Sequence, residues 1–140
     1  MKDILKMARI QIGVIVLFAL FKFIRPSVLD SDAPQWIKIM LLSLPNFFEA
    51  IIGILTVTGI GLYLNDKLLN PSNQLKTKMI YIFSTILAAI YVITQEFKIH
   101  NLGGENVYDI NDVIFSIVGL VIGYLIIRLI KPVVNQTASP

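Results

Sequence analysis

Between Asp109 and Lys131 the chain runs for 21 residues, Ile110–Ile130, that are apolar apart from Asn111, Asp112, Ser116, Tyr124 and Arg128. A helix of about 20 such residues crosses the roughly 30 Å hydrocarbon layer of a bilayer, and little else satisfies the backbone of a segment this apolar. Within this stretch Asp109, Asp112, Ser116, Gly119 and Gly123 recur at offsets of 3, 7, 10 and 14 from the first. On an α-helix these fall on one stripe, so two acids, a hydroxyl and two glycines share a face while Val113, Ile114, Phe115, Val118, Leu120, Val121 and Ile122 are expected to suit lipid. Acids at the edge of a hydrocarbon layer are costly and usually turn toward protein or a wet cavity. Gly119 and Gly123, four apart, allow a neighbouring helix to approach closely.

Three further apolar runs precede this one, in a chain of 140 residues that is 56% hydrophobic, with a mean hydropathy of +0.76. The spacing predicts an all-α membrane protein of four transmembrane helices packed as a small bundle, with spans at about 5–24, 45–64, 78–97 and 109–130. A single domain covers 1–132, and 133–140 form a disordered tail. Phe21-Lys-Phe-Ile-Arg-Pro26 offers no small-x-small cleavage pattern, so the first run is expected to remain as a span rather than leave as a signal peptide. The second apolar stretch, 37–64, is too long for one perpendicular span. Its Ser43-Leu-Pro-Asn-Phe-Phe-Glu49 segment predicts a helix starting near Pro45, with 37–42 a short interfacial or re-entrant piece. Loops are expected at 25–35, at 65–77 around Asn70-Pro-Ser-Asn73, and at 98–108 around Gly103-Gly104.

Four spans put both termini on one side. That side collects Lys2, Lys6, Arg9, Lys67, Lys76, Lys78, Arg128 and Lys131, against Lys22, Arg25, Lys38 and Lys98 on the other, which predicts cytoplasmic termini. The opposite end then holds most of the acids. Asn46 and Glu49 from the second helix, Gln95 and Glu96 from the third, and Asp109 and Asp112 from the fourth are expected to line a polar mouth there. Such a mouth suits a polar or cationic headgroup on an amphiphile.

Each residue has a plainer role beside that one. Asp109-Ile-Asn-Asp112 reads as a capping box, with Asp109 at the N-cap. Glu49 favours a helix N-terminus. Gly53, Gly119, Gly123 and Ser116 read as helix-packing positions. His100 reads as a loop histidine.

The absence of cysteine excludes disulfides, thiolate nucleophiles and cysteine–zinc sites, and one histidine excludes a three-histidine zinc centre within the chain. A divalent ion on Glu49, Asp109 and Asp112 is geometrically conceivable, since hard cations take oxygen ligands, but no metal and no cofactor is expected. The net charge of +3 is scattered at the ends of apolar runs, so no nucleic acid is expected. No nucleophile elbow, His-Glu-x-x-His or phosphate loop is present, so catalysis is not the leading reading. The alternatives are a membrane enzyme using paired acids on a lipid-linked substrate, and a structural subunit of a larger membrane assembly or homo-oligomer.

Gln95-Glu96, then Asp109-Ile-Asn-Asp112, then Ser116-Ile-Val-Gly119 and Gly123, resemble the C-terminal signature of VanZ-like integral membrane proteins. Leu44-Pro-Asn-Phe-Phe-Glu49 is similar to the Leu-Pro-Asp-Phe stretch of short members. The resemblance spans about 44–130. It departs from the family at Asn106-Val-Tyr108, where an arginine is usual, at Ser116, where asparagine is usual, and at Val92, where the acid preceding Gln95 by three is missing. The resemblance implies a bacterial cell-envelope protein linked to teicoplanin resistance, acting at the lipid bilayer through an outward-facing site.

Overall fold

The computed structural model describes residues 2–96 and 109–133. All regular structure among them is helical: α1 (Lys2–Leu29), α2 (Gln35–Lys67), a short 3-10 turn (Pro71–Asn73), α3 (Thr77–Glu96) and α4 (Ile110–Ile130). Each of the four long helices is long and apolar enough to cross a membrane, and the chain is a multi-pass membrane protein. His100, Gly103, Gly104 and, apart from Val133, the expected tail at 133–140 lie outside the described residues.

Two helices overrun their expected limits. α1 passes through Pro26 to Leu29, and α2 begins at Gln35 and passes through Pro45 without a break. The re-entrant piece expected at 37–42 is therefore the first part of α2. The physical reason is the solvent. Proline deletes one helical hydrogen bond, whereas leaving the helix would strand several backbone groups where no water can satisfy them.

α2 is the spine. Its most extensive interface is with α4, followed by α3 and then α1. Ile54, Leu55 and Thr58 of α2 and Ile127 of α4 are fully buried at the centre. α1 runs antiparallel to α2 and is pinned at three heights. Met7 packs beside Gly59, the Gln11 side-chain amide donates to the Thr56 hydroxyl (2.6 Å), and the Phe18 and Phe21 rings lie 5.6 and 6.0 Å from the Phe48 ring. α3 is also antiparallel to α2, with Ile80 and Ser84 beside Gly61. The linker between them is tied back by Asn65, whose Oδ1 accepts from the Leu75 N–H (2.8 Å) and whose Nδ2 donates to the Leu75 carbonyl (3.3 Å).

α4 ends at Lys131, which takes a left-handed conformation (φ 47°) and donates its N–H to the Ile127 carbonyl (2.9 Å). The Tyr81 hydroxyl of α3 donates to the Pro132 carbonyl (2.9 Å), fastening the end of α4 to the start of α3. The start of α1, the linker and the end of α4 thus share one end of the bundle. The starts of α2 and α4 share the other.

Candidate functional site

The α4 stripe faces α2. Ser116, Gly119 and Gly123 are all buried, and a Cβ on Gly119 would press into the Phe47 carbonyl oxygen and lie 2.9 Å from the Ala50 Cβ. One turn on, a Cβ on Gly123 would press into the Ile54 Cγ2. Four residues forward on α4 match four forward on α2, so these two helices run in the same direction. Extending that register backward sets Ser116 beside the turn of α2 that holds Ser43 and Pro45. Asp112 stands one turn further out on the same face.

This height is polar on both sides. The Ser43 and Ser116 hydroxyls are fully buried and neither finds a partner among the described residues. Thr58, deeper along α2, shares that state. Other hydroxyls in the bundle behave differently. Thr56, Thr85 and Thr94 each donate back to the carbonyl four residues earlier, at 2.7 Å. Pro45 adds an acceptor, because it has no N–H to give to the Leu41 carbonyl. Two unspent hydroxyls therefore sit below Asp112, while the released carbonyl belongs to the α1 side of α2, where Leu41 and Pro45 line a cleft with Phe18 and Phe21. A buried polar group without a partner costs about 1–3 kcal/mol, so a small polar group or water that met these atoms would be held firmly.

Asp109 is the N-cap of α4. Its Oδ1 accepts from the Asn111 N–H (2.9 Å) and from the Asn111 side-chain amide (2.8 Å). The reciprocal half of the expected capping box is not made: Asp112 is partly buried and bonds to no described side chain or cap N–H. Asp109→Ala should lower the unfolding free energy by about 1 kcal/mol, the usual cost of a lost cap, and Asp109→Asn should restore most of it. Thermal melts of the three proteins in detergent check this.

The remaining expected site residues divide. Glu49 is exposed on the α1 side of α2, where the Lys22 ammonium is the charge that acts on it. Lys22 itself lies 5.5 Å from the Phe18 ring. Asn46 is half-buried in α2 and hydrogen-bonds to no described residue. Among the described residues, α3 stops short of the height of Asp112. Counted from Gly61 and its neighbours Ile80 and Ser84, Gln95 is exposed level with Phe48 and hence with Gly119, and Glu96 is the last residue of α3. As far as the described residues run, α3 thus ends deeper than α4 starts, and Glu49 lies on the α1 side of α2 whereas Asp112 belongs to the α4 side. Among the described residues no three acidic or histidine side chains gather to hold a metal.

Gly53 packs against no neighbouring helix among the described residues: a Cβ there would meet nothing within 4 Å, because Gly53 lies off the α4-facing stripe.

Compared with protein-family models, curated proteins and solved structures, the chain matches none. The seam between α2 and α4 is therefore read on its own chemistry. Ser43 is the residue that sequence reasoning passed over. The signal lay in a hydroxyl standing alone within an apolar run, a residue type that must find a partner or stay unpaired inside a bundle.

Proposed function

We propose that this chain is a VanZ-like protein of the bacterial cytoplasmic membrane, with both termini cytoplasmic, that binds the polar group of an envelope amphiphile at the Asp112 end of the α2–α4 seam. The observation that carries this reading is the pair of buried, unpartnered hydroxyls of Ser43 and Ser116 beneath a partly buried Asp112. Intramembrane polar groups that are not spent on packing commonly serve a ligand. The resemblance supplies the ligand class, a lipid-bearing glycopeptide or an envelope precursor.

Susceptibility titrations with teicoplanin and vancomycin test it, in cells carrying wild type, Asp112→Asn or no copy, at matched membrane abundance. Protection against teicoplanin by wild type and not by Asp112→Asn is the expected result. Equal response of all three would remove the resistance role.

A second reading, a subunit of a larger assembly, is favoured by α1. Almost none of its apolar length is buried within the bundle. The chain lacks cysteine, so a single Val16→Cys on the exposed face of α1 gives a clean cross-linking handle. A discrete cross-linked product would favour assembly, and none would leave α1 to lipid.

A further inference from the structure

At the end of the bundle opposite Asp112, α2 and α3 diverge and leave a groove of about 380 Å³. Its walls include Ile60, Leu64, Phe83 and Leu87, its floor is Gly61 and Ser84, and the linker residues Leu68, Leu69 and Leu75 close its outer end. The lining is almost wholly apolar, and Ile60, Phe83 and Leu87 are each about half exposed, so the groove opens sideways on the membrane-facing surface. Its shape is set before anything enters, because the double hydrogen bond between the Asn65 side chain and the Leu75 backbone holds the linker in place.

Three lysines adjoin the lining residues in sequence: Lys67 ends α2 just before Leu68, Lys76 follows Leu75, and Lys78 lies in the first turn of α3, two residues before Ile80. Asp66 is the one acid between Ala50 and Gln95, and it lies 3.6 Å from Lys67, which leaves two of the three lysines without a counter-ion in this stretch of sequence. An apolar slot within the membrane and a cluster of lysines at its mouth match one kind of molecule. We propose that the α2–α3 groove holds an acyl chain of an anionic phospholipid whose phosphate headgroup rests on Lys67, Lys76 and Lys78. Basic residues next to a membrane surface attract anionic headgroups, and a preformed slot avoids the cost of ordering both partners. The site is separate from the Asp112 seam and stands whether or not that seam binds a ligand.

Native mass spectrometry of the full chain released from detergent, titrated with phosphatidylglycerol or with phosphatidylcholine of the same acyl chains, tests the proposal. One tightly retained phosphatidylglycerol per chain is expected, with phosphatidylcholine binding weaker. Each lysine contributes about a fivefold factor, so Lys67→Gln, Lys76→Gln and Lys78→Gln together should weaken phosphatidylglycerol by on the order of a hundredfold. Ile60→Trp, a lipid-facing change that fills the slot, should also weaken it with the lysines intact, and circular dichroism confirms that each variant folds. Equal affinity for the two lipids, undiminished binding in the triple variant, or a lipid-free dimer closing the groove would each overturn the proposal.

Discussion

Alanine at Gly119 should destabilise the bundle by about 3 kcal/mol, the upper range for a methyl group forced into a packed interior. The obstacle is the carbonyl oxygen of Phe47, with the Ala50 Cβ at 2.9 Å and the Phe47 carbonyl carbon at 3.1 Å behind it. A backbone carbonyl inside a helix has no rotamer to change, so α2 and α4 must move apart. That separation opens the seam along its length, including the turn that holds Ser43 and Ser116. Unfolding in detergent followed by circular dichroism measures the loss. Phe47→Ala should not relieve it, because the atom in the way belongs to every residue type. Gly53→Ala is the control, with open space around the added methyl. It should be neutral or gain up to about 1 kcal/mol from helix propensity.

Gly123→Ala should cost about 2 kcal/mol and be reversible by a second change. Here the obstacle is the Ile54 Cγ2, a side-chain atom, while the Ile51 backbone stands back at 3.5 and 3.7 Å. Ile54 is fully buried, so Ile54→Ala alone leaves a cavity that costs about 2–4 kcal/mol. Together the two should cost less than their sum by about 1–2 kcal/mol, since the new methyl occupies part of the vacated volume. Additive losses would mean that α4 does not sit on α2 in this register.

The two glycines behave differently although their sequence signal is the same. The spacing of Gly119, Gly123 and Ser116 identified one face of one helix, and that follows from helical periodicity alone. Which atoms lie opposite depends on α2, and Gly53 shows the limit, because a glycine in a span looks alike whether or not a neighbour is there. The four spans were legible because length and apolarity suffice for them. The start of α2 was not, because Pro45 reads as a boundary in water and only the lipid environment makes continuation cheaper. Asp109 was legible as a cap because capping is local. Glu49 and Asp112 could not be separated from sequence, since their distance apart is set by the shared direction of α2 and α4 and not by either helix.

That shared direction also has a consequence for biosynthesis. Two neighbouring helices can run the same way only if a third lies between them in sequence, so α2 is made early and its largest contact surface stays unfilled while the linker, α3 and residues 97–109 are synthesised. Ribosomes deliver roughly 5–20 residues per second, so the seam waits several seconds at the slower rates for its partner. A chain stalled before Ile110 would present Ser43 and Ala50 to lipid, or to whatever chaperone or quality-control protease surveys half-built bundles, and the final helix would decide which nascent chains survive.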